Sequence, residues 1–125
     1  MEDIENREDI KNVVNTFYDK VNNNSELSYF FNDVAELNWE VHLPKMYDFW
    51  ETILFHKPIF KGNPMRKHIN LHSEAPLKKE NFDTWLQLFE ATVDELYQGE
   101  IATQMKIRAT SIATAIQLNT VYQKN

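Results

Sequence analysis

The sequence of 125 residues predicts an all-helical fold in a single domain, residues 1–125. Glycine occurs only twice and proline four times, which is few for a chain of short strands joined by tight turns. Apolar residues also recur every three or four positions, and no stretch shows the alternation that is typical of strands. We therefore expect four main helices, two short ones and an irregular stretch in the middle.

The first predicted helix covers residues 7–21 and has one apolar face. Its apolar positions follow the spacing of an amphipathic helix and are Ile10, Val13, Val14, Phe17, Tyr18 and Val21. The three asparagines at residues 22–24 indicate a turn. A short helical turn rich in aromatic residues follows at residues 27–31.

The third predicted helix covers residues 38–55. Its expected buried stripe consists of Trp39, His42, Leu43, Met46, Phe49, Trp50, Ile53 and Leu54. Pro44 lies within this stretch and cannot donate to the carbonyl of Glu40, so we expect the first turn to be kinked or to start late. A break follows over residues 56–64, where two prolines and a glycine interrupt the helical pattern.

The second half of the chain predicts a short helix and two long ones. The short piece follows Pro64 and carries Arg66, Lys67, His68, Ile69 and Leu71. Pro76 marks a boundary, and the next helix covers residues 78–98 with Gly99 as its C-terminal stop. Its expected buried residues are Phe82, Trp85, Leu86, Phe89, Val93, Leu96 and Tyr97. The last helix covers residues 100–122, with a less regular stripe of Ile101, Met105, Arg108, Ile112, Ala115, Ile116 and Asn119.

The composition argues against several functional classes. The formal net charge is −6 and no concentrated stripe of Lys and Arg is present, so no nucleic-acid partner is expected. The lack of cysteine removes disulfides, thiolate nucleophiles, iron–sulfur clusters and cysteine-based zinc sites. The acidic N-terminus has no apolar signal region, and no run approaches about 18 apolar residues. We therefore expect a cytoplasmic protein without a membrane span.

Histidine and aromatic residues supply the candidate site. A core histidine is the simpler interpretation of His42 by itself, and a surface histidine explains His68 equally well. However, Tyr18, His42 and Trp85 lie on inward faces of three helices, and each combines an apolar ring with one hydrogen-bonding group. They could converge on one small polar ligand in an apolar pocket, as do the residues that control oxygen at a haem iron.

Zinc binding is a weaker alternative. His68 and His72 are four residues apart, a spacing that could clasp a zinc ion on one helix face. No third ligand is evident, and no HExxH motif is present. The GxSxG, P-loop and GxGxxG motifs are also absent.

Several stretches of the chain together carry a family resemblance. They are residues 17–21 with Leu27 and Phe31, residues 39–42 with Phe49 and Trp50, residues 62–71, residues 82–89, and Arg108 with Ala109. In order and spacing they resemble the group III truncated haemoglobins, a bacterial branch of the two-over-two helical globins.

The resemblance implies a truncated-globin fold, a two-over-two helical sandwich, with a haem b between the third and fifth helices. His68 would be the proximal iron ligand, its other ring nitrogen bonded to a carbonyl or carboxylate. Tyr18, His42 and Trp85 occupy the three polar distal positions of the family. The resemblance also implies Phe31 at the haem edge, Met46 over the distal face, Arg66 or Lys67 at a propionate, and walls of Phe49, Trp50, Ile69, Phe89, Ile112 and Ile116.

The function implied by the resemblance is the binding of O₂, CO, NO or peroxide at the iron, with a reductase as a partner. Strong distal hydrogen bonds would slow O₂ release, which argues against bulk transport. An alternative is an enzyme that uses the same site for peroxide reduction or nitric oxide detoxification, and a third hypothesis is a haem-free helical domain.

Two features depart from the family pattern. Pro44 could displace His42 towards solvent, and His72 offers a second candidate iron ligand. We favour His68 because it lies in the matching Pro-x-x-x-His pattern.

Overall fold

The computed structural model describes residues 1–122, which form six α-helices and one π-helical turn. In chain order they are α1 (Arg7–Asn22), α2 (Ser25–Ser28), the π-helical turn (Tyr29–Val34), α3 (Trp39–Phe55), α4 (Pro64–Glu74), α5 (Lys79–Leu96) and α6 (Glu100–Asn119). No strand occurs within these residues, which agrees with the predicted class. Among these helices, none combines the length and apolar character needed to cross a membrane. The predicted domain also includes residues 123–125, which lie outside the described residues.

Asparagine side chains start four of the helices. Asn6, Asn24, Asn38 and Asn63 each accept a hydrogen bond, 3.0 to 3.1 Å long, from a backbone N–H in the first turn that follows. Such caps satisfy donors that have no partner inside the helix. In α4 the cap is followed by Pro64, whose missing N–H is harmless at the first helical position. These local signals keep the helix starts close to those predicted.

Two helical pairs, α1 with α3 and α5 with α6, form the two layers of the fold and meet where α1 packs on α5. All six predicted core residues of α1 are buried. Phe17 of α1 and Phe89 of α5 are almost completely buried, with ring centroids 5.1 Å apart. This edge contact joins the layers and agrees with the predicted two-over-two arrangement.

Pro44 lies inside α3 without delaying its start. The helix begins at Trp39, and the N–H of His42 donates to the carbonyl of Asn38 at 2.9 Å, upstream of the proline. Pro44 removes one donor, the one that would reach the carbonyl of Glu40. The expectation of a late start was therefore wrong, because the helix tolerates the loss of a single hydrogen bond.

The buried face of α3 differs from the predicted stripe. Tyr47 and Glu51 are buried with Trp50 and Leu54, whereas the other predicted residues are half-buried: Trp39, His42, Leu43, Met46, Phe49 and Ile53. The difference arises because α1 packs against the side of α3 that carries Tyr47, whose hydroxyl donates to Asn15 of α1. The half-buried stripe of α3 is only partly covered by the rest of the fold and is therefore available to line a site.

Gly99 does not end α5, as was predicted, but precedes α6. Helix α5 already ends at Leu96, and Gly99 is the N-cap of α6 with a φ of 153°. A side chain at Gly99 would collide with Asp3. The carboxylate of Asp3 accepts hydrogen bonds from the N–H groups of Ile101 and Ala102, both at 2.9 Å. Glycine is needed here because the N-terminal segment caps the last helix.

Small residues form much of the buried face of α6. Its buried residues are Ala102, Met105, Ala109, Ala113 and Ile116. The predicted stripe was partly wrong, because Arg108 and Asn119 are exposed. The helix also ends at Asn119 rather than at residue 122. The alanines face the rest of the fold because their small side chains let α6 approach it closely, which hydrophobic spacing alone does not reveal.

Candidate functional site

His68 lies on the second turn of α4, and one of its ring nitrogens is already bonded. Helix α4 starts directly after the irregular residues 56–63, with Asn63 as cap and Pro64 as first residue. Nδ1 of His68 lies 2.6 Å from the carbonyl oxygen of Pro64. Because a carbonyl can only accept, Nδ1 carries the proton and donates. Nε2 then has the free lone pair and is the nitrogen able to ligate a metal.

The surroundings of His68 favour its neutral form. Burial lowers the pKa of His68 below its ordinary value of 6.5, and the hydrogen bond to Pro64 only partly opposes this effect. A neutral imidazole is the form that binds metal ions. The carbonyl partner also fixes the tautomer and the ring orientation, as is typical of histidines that ligate metals.

His72, the second candidate ligand, has a different local role. Its Nδ1 accepts a hydrogen bond of 2.9 Å from the N–H of Leu77, which ties α4 to the segment before α5. No group of three or more His, Asp or Glu side chains placed to hold a metal ion occurs within residues 1–122. The described residues therefore provide no third ligand for a zinc site at His68 and His72.

Tyr18 and His42 form a polar pair between α1 and α3. The hydroxyl oxygen of Tyr18 lies 3.4 Å from Nε2 of His42, and their ring centroids are 5.4 Å apart. Tyr18 is buried and His42 is half-buried. His42 therefore points inward, although Pro44 follows it by two residues, and it does not turn towards solvent as was considered possible.

Both members of this pair are uncharged at neutral pH. Burial raises the pKa of Tyr18 well above its usual range. Burial also lowers the pKa of His42 to about 4, with smaller contributions from the charges of Lys67 and Lys45 and from His68 when it is protonated. A neutral phenol and a neutral imidazole carry one proton donor each. One donor is used within the pair, so one is left for a third group.

Aromatic rings enclose the pair. The ring centroids of Phe31, from the π-helical turn, and of Trp39, from α3, lie 5.8 and 5.1 Å from that of Tyr18. The indole N–H of Trp39 donates to Asn32 at 2.8 Å, so the single hydrogen-bond donor of this side chain already has a partner. The hydroxyl of Tyr18 thus lies in surroundings of low polarity, which strengthen any hydrogen bond it makes.

Trp85 of α5 lies one ring away from Tyr18. Phe17 separates them, with centroid distances of 5.0 Å to Tyr18 and 5.4 Å to Trp85. Phe89 stacks on Trp85 at an interplanar angle of 10° and on Trp50 at 20°. The structure therefore brings Tyr18 and His42 into direct contact and places Trp85 in an adjoining aromatic stack.

An apolar cleft of about 230 Å³ lies at the start of α4. Its lining residues are Phe49, Gly62, Asn63, Pro64, Met65, Ile112, Ala115 and Ile116. Three of these, Phe49, Ile112 and Ile116, were among the predicted pocket walls. The lining by residues 62–65 was not predicted, because Gly62 and Pro64 were interpreted as a helix break and as part of the family pattern, not as a pocket wall.

The other predicted pocket residues differ in exposure. Trp50 and Phe89 are buried, Met46 is half-buried, and Arg66, Lys67 and Ile69 are exposed. Trp50 and Phe89 contribute to the core between the layers. The three residues of α4 lie on the exposed surface of the helix that carries His68.

Comparisons with known proteins agree with this architecture. A family model described as bacterial-like globin matches residues 1–117. The chain is 31% identical over 121 residues to the group 3 truncated hemoglobin of Campylobacter jejuni, covering 94% of this chain and 92% of that protein. The crystal structure of a group III truncated hemoglobin from Campylobacter jejuni matches with a TM-score of 0.85 and 28% identity over 100% of both chains.

Proposed function

The chain belongs to the bacterial-like globin family, as a group III truncated haemoglobin, and from this premise we propose that it binds a haem b through His68. Membership of the family implies a haem cofactor and small gaseous ligands. We further propose that Tyr18, His42 and Trp85 hold such a ligand on the other side of the cofactor. The observation that carries the proposal is the 2.6 Å hydrogen bond between Nδ1 of His68 and the carbonyl of Pro64.

The residues around His68 fit a haem. The hydrogen bond leaves Nε2 of His68 free, and burial keeps the ring neutral. The neighbouring cleft has apolar walls, including Phe49 and Ile112, which suit the face of a porphyrin. Arg66 and Lys67 are exposed on the same helix and can pair with the two propionates of a haem b.

When bound, the haem supplies an iron with a coordination position for O₂, CO or NO. Tyr18 contributes a neutral hydroxyl that can donate a hydrogen bond to such a ligand. While it donates, its oxygen can accept from the Nε2–H of His42, which lies within reach. Such a chain, in which His42 donates to Tyr18 and Tyr18 donates to the ligand, strengthens the hydrogen bond from Tyr18, because hydrogen bonds in a chain polarise one another. The indole N–H of Trp85 is a second donor in the proposal.

The remaining predicted residues have supporting roles. Phe31 packs on the ring of Tyr18 and limits the space beside its hydroxyl. Met46 on α3, with the predicted walls Phe49, Trp50, Ile69, Phe89, Ile112 and Ile116, supplies apolar contacts. These contacts exclude water, so the polar pair meets a ligand in surroundings where its hydrogen bonds are strong.

Peroxide reduction or nitric oxide detoxification is a second candidate function of the same site. The observation that favours it is the closeness of two proton-bearing groups, Tyr18 and His42, since general acid–base catalysis needs a positioned proton donor. O₂ binding and nitric oxide detoxification would call for a reductase that keeps the iron ferrous, whereas peroxide reduction would call for a donor of two electrons.

The test is the absorption spectrum of the chain with one equivalent of haemin, in the ferric, dithionite-reduced and CO-treated forms. We expect a sharp Soret band that shifts on reduction and shifts again with CO. His68→Gly should lose the spectrum of a histidine-ligated haem, and added imidazole should restore it. His72→Gly removes a histidine one turn later on the same helix and should leave the spectrum unchanged.

A wild-type spectrum identical to that of free haemin would overturn the proposal. An unchanged spectrum in His68→Gly together with an altered one in His72→Gly would transfer the ligand to His72.

A further inference from the structure

Residues 52–73 have a charge balance opposite to that of the whole chain. They contain Lys57, Lys61, Arg66 and Lys67 but no Asp or Glu, whereas the chain has 13 Lys and Arg against 19 Asp and Glu. The segment includes the end of α3, the irregular connection and most of α4. Four of the eight residues that line the cleft belong to it. Positive charge in this acidic protein is therefore concentrated beside the candidate site.

These cations are not neutralised by the chain itself. Lys61, Arg66 and Lys67 are exposed, and none of them takes part in an ion pair within residues 1–122. Lys57 only approaches Glu51, at 3.9 Å. Lys20, Lys79 and Lys106, elsewhere on the surface, have closer acidic partners, whereas Lys78 and Arg108 also lie outside these ion pairs. The segment thus keeps its positive charge for an outside partner.

Lys45 of α3 extends the positive charge to the other side of the site. It is exposed and is also outside the ion pairs of residues 1–122. Beyond the larger effect of burial, the charges of Lys67 and Lys45 both lower the pKa of His42. Since one lies on α4 and the other on α3, cations flank the polar pair from two helices.

Exposed aliphatic side chains accompany these cations. Val41 of α3 and Ile59 of the connection are 49% and 41% exposed. In transient complexes apolar contacts supply adhesion, while complementary charges steer the partner and fix its orientation. Redox encounters of this kind are small, with less than about 1,200 Å² buried in total.

We propose that Lys45, Lys61, Arg66 and Lys67, here called the basic rim, form the docking surface for an acidic redox protein. The inference rests on the proposed function, since a haem beside His68 gives such a partner an electron acceptor. With the haem bound, one electron from the reduced partner would convert Fe(III) to Fe(II), and no bond would form or break. The two haem propionates neutralise at most two of the four cations, so the rim stays positive when the cofactor is bound.

The docking surface can be mapped by cross-linking the haem-loaded protein to an acidic flavodoxin as the probe. A zero-length carbodiimide joins lysine amines to carboxylates that they touch, and peptide mapping identifies the lysines. We expect cross-links at Lys45 and Lys61, and their loss in high salt because the attraction is screened. The comparison set is Lys20, Lys79 and Lys106. Cross-links spread equally over both sets would overturn the proposal.

A kinetic test uses the double variant Lys45→Glu/Lys61→Glu. At low ionic strength its rate of reduction by the reduced flavodoxin should fall about tenfold or more, because steering depends on complementary charge. Lys20→Glu/Lys79→Glu reverses the same number of charges elsewhere and should change the rate much less. Reduction by photoreduced 5-deazariboflavin, a small neutral reductant, should be the same in all three proteins.

The outcomes separate this proposal from the haem assignment. If the wild-type protein takes up no haem, the proposed function fails. If haem is bound normally and the rate with flavodoxin does not respond to the rim variant, the docking surface fails alone. Salt-sensitive cosedimentation with phosphatidylglycerol vesicles through the rim, with no rim effect on the flavodoxin rate, would identify a membrane contact and would also overturn the proposal.

Discussion

The hydroxyl oxygen of Tyr18 lies 3.4 Å from Nε2 of His42, across the interface between α1 and α3. The two residues are 24 positions apart in the sequence and meet only because those helices pack together. Both are neutral at physiological pH, so the pair holds one proton donor more than it uses internally. Their contact makes the behaviour of each residue a test of the proposed pocket.

Replacing Tyr18 by Phe removes the hydroxyl and keeps the ring. A hydrogen bond to a charged or strongly polarised group contributes about 1.5 to 3 kcal/mol. We therefore expect the haem-loaded variant to release O₂ about ten- to a hundredfold faster than the wild type, as measured by stopped-flow displacement with CO. Tyr47→Phe removes another buried tyrosine hydroxyl at the interface of α1 and α3, one that donates to Asn15 and not to the Tyr18–His42 pair, and serves as the control. Equal O₂ release rates in Tyr18→Phe and the wild type would show that Tyr18 does not bind the ligand.

His42 should stay neutral until the solution is strongly acidic. Its pKa is lowered to about 4, mainly by burial, from an ordinary value of 6.5. The folded-state pKa of His42 is lower than its unfolded-state pKa. The neutral ring therefore contributes its full stability above pH 6.5, and this contribution is lost as the pH falls through about 4. Proton NMR of the ring C–H signals of the cofactor-free chain, assigned with His42→Gln, should show a midpoint near 4. A midpoint between 6 and 7 would mean that the ring is solvated.

Asp3 should stabilise the fold through the start of α6. Burial raises the pKa of Asp3, but the N–H groups of Ile101, Ala102 and Ile4 outweigh this effect and the pKa is lowered. Ionised Asp3 therefore stabilises the fold above its unfolded-state pKa of 3.8, and this stabilisation is lost as the pH falls through the lower folded-state pKa. Asp3→Ala should lower the free energy of unfolding in urea by about 1 kcal/mol at pH 7. Glu5→Ala, in the same segment, should have little effect, and equal losses in both would contradict the cap.

Glu51 should depend on Arg7 for its burial. It is 6% exposed, its Oε2 has no hydrogen-bond partner within the described residues, and the Nη1 of Arg7 lies 3.5 Å away. Arg7→Gln leaves the buried carboxylate with only the more distant Lys57, 3.9 Å away, and should destabilise the protein by about 1 to 2 kcal/mol, a value reduced by the partial exposure of Arg7. In Arg7→Gln/Glu51→Gln much of this loss should be recovered.

Urea unfolding of Arg7→Gln, Glu51→Gln and the double variant, with Lys20→Gln as a surface-pair control, measures this coupling. Additive effects of the two substitutions would show that Arg7 and Glu51 do not interact.

The helices could be predicted from sequence because their signals are local. An apolar residue every three or four positions, an asparagine before each of four helices and a proline at the first position of α4 act over a single turn. The same spacing placed His68 on a short helix after an irregular segment. The pattern that resembles group III truncated haemoglobins identified the family before any contact was known.

Other features depend on packing between distant segments. Glu51 is buried because α1 brings Arg7 to it, and Gly99 precedes α6 because Asp3 occupies the space that a side chain would need. Arg7 is far from Glu51 in the sequence, and Asp3 is far from Gly99, so no local sequence pattern indicates either contact.

The sequence by itself therefore determined the helical class, the family and the candidate residues, since these follow from residue type and spacing. Only the tertiary structure decided that Tyr18 meets His42, that Nδ1 of His68 bonds to Pro64 while His72 bonds to Leu77, and that unpaired cations flank the site. Hydrogen bonds and burial depend on distances of a few ångströms between side chains, and those distances are set by how the helices pack.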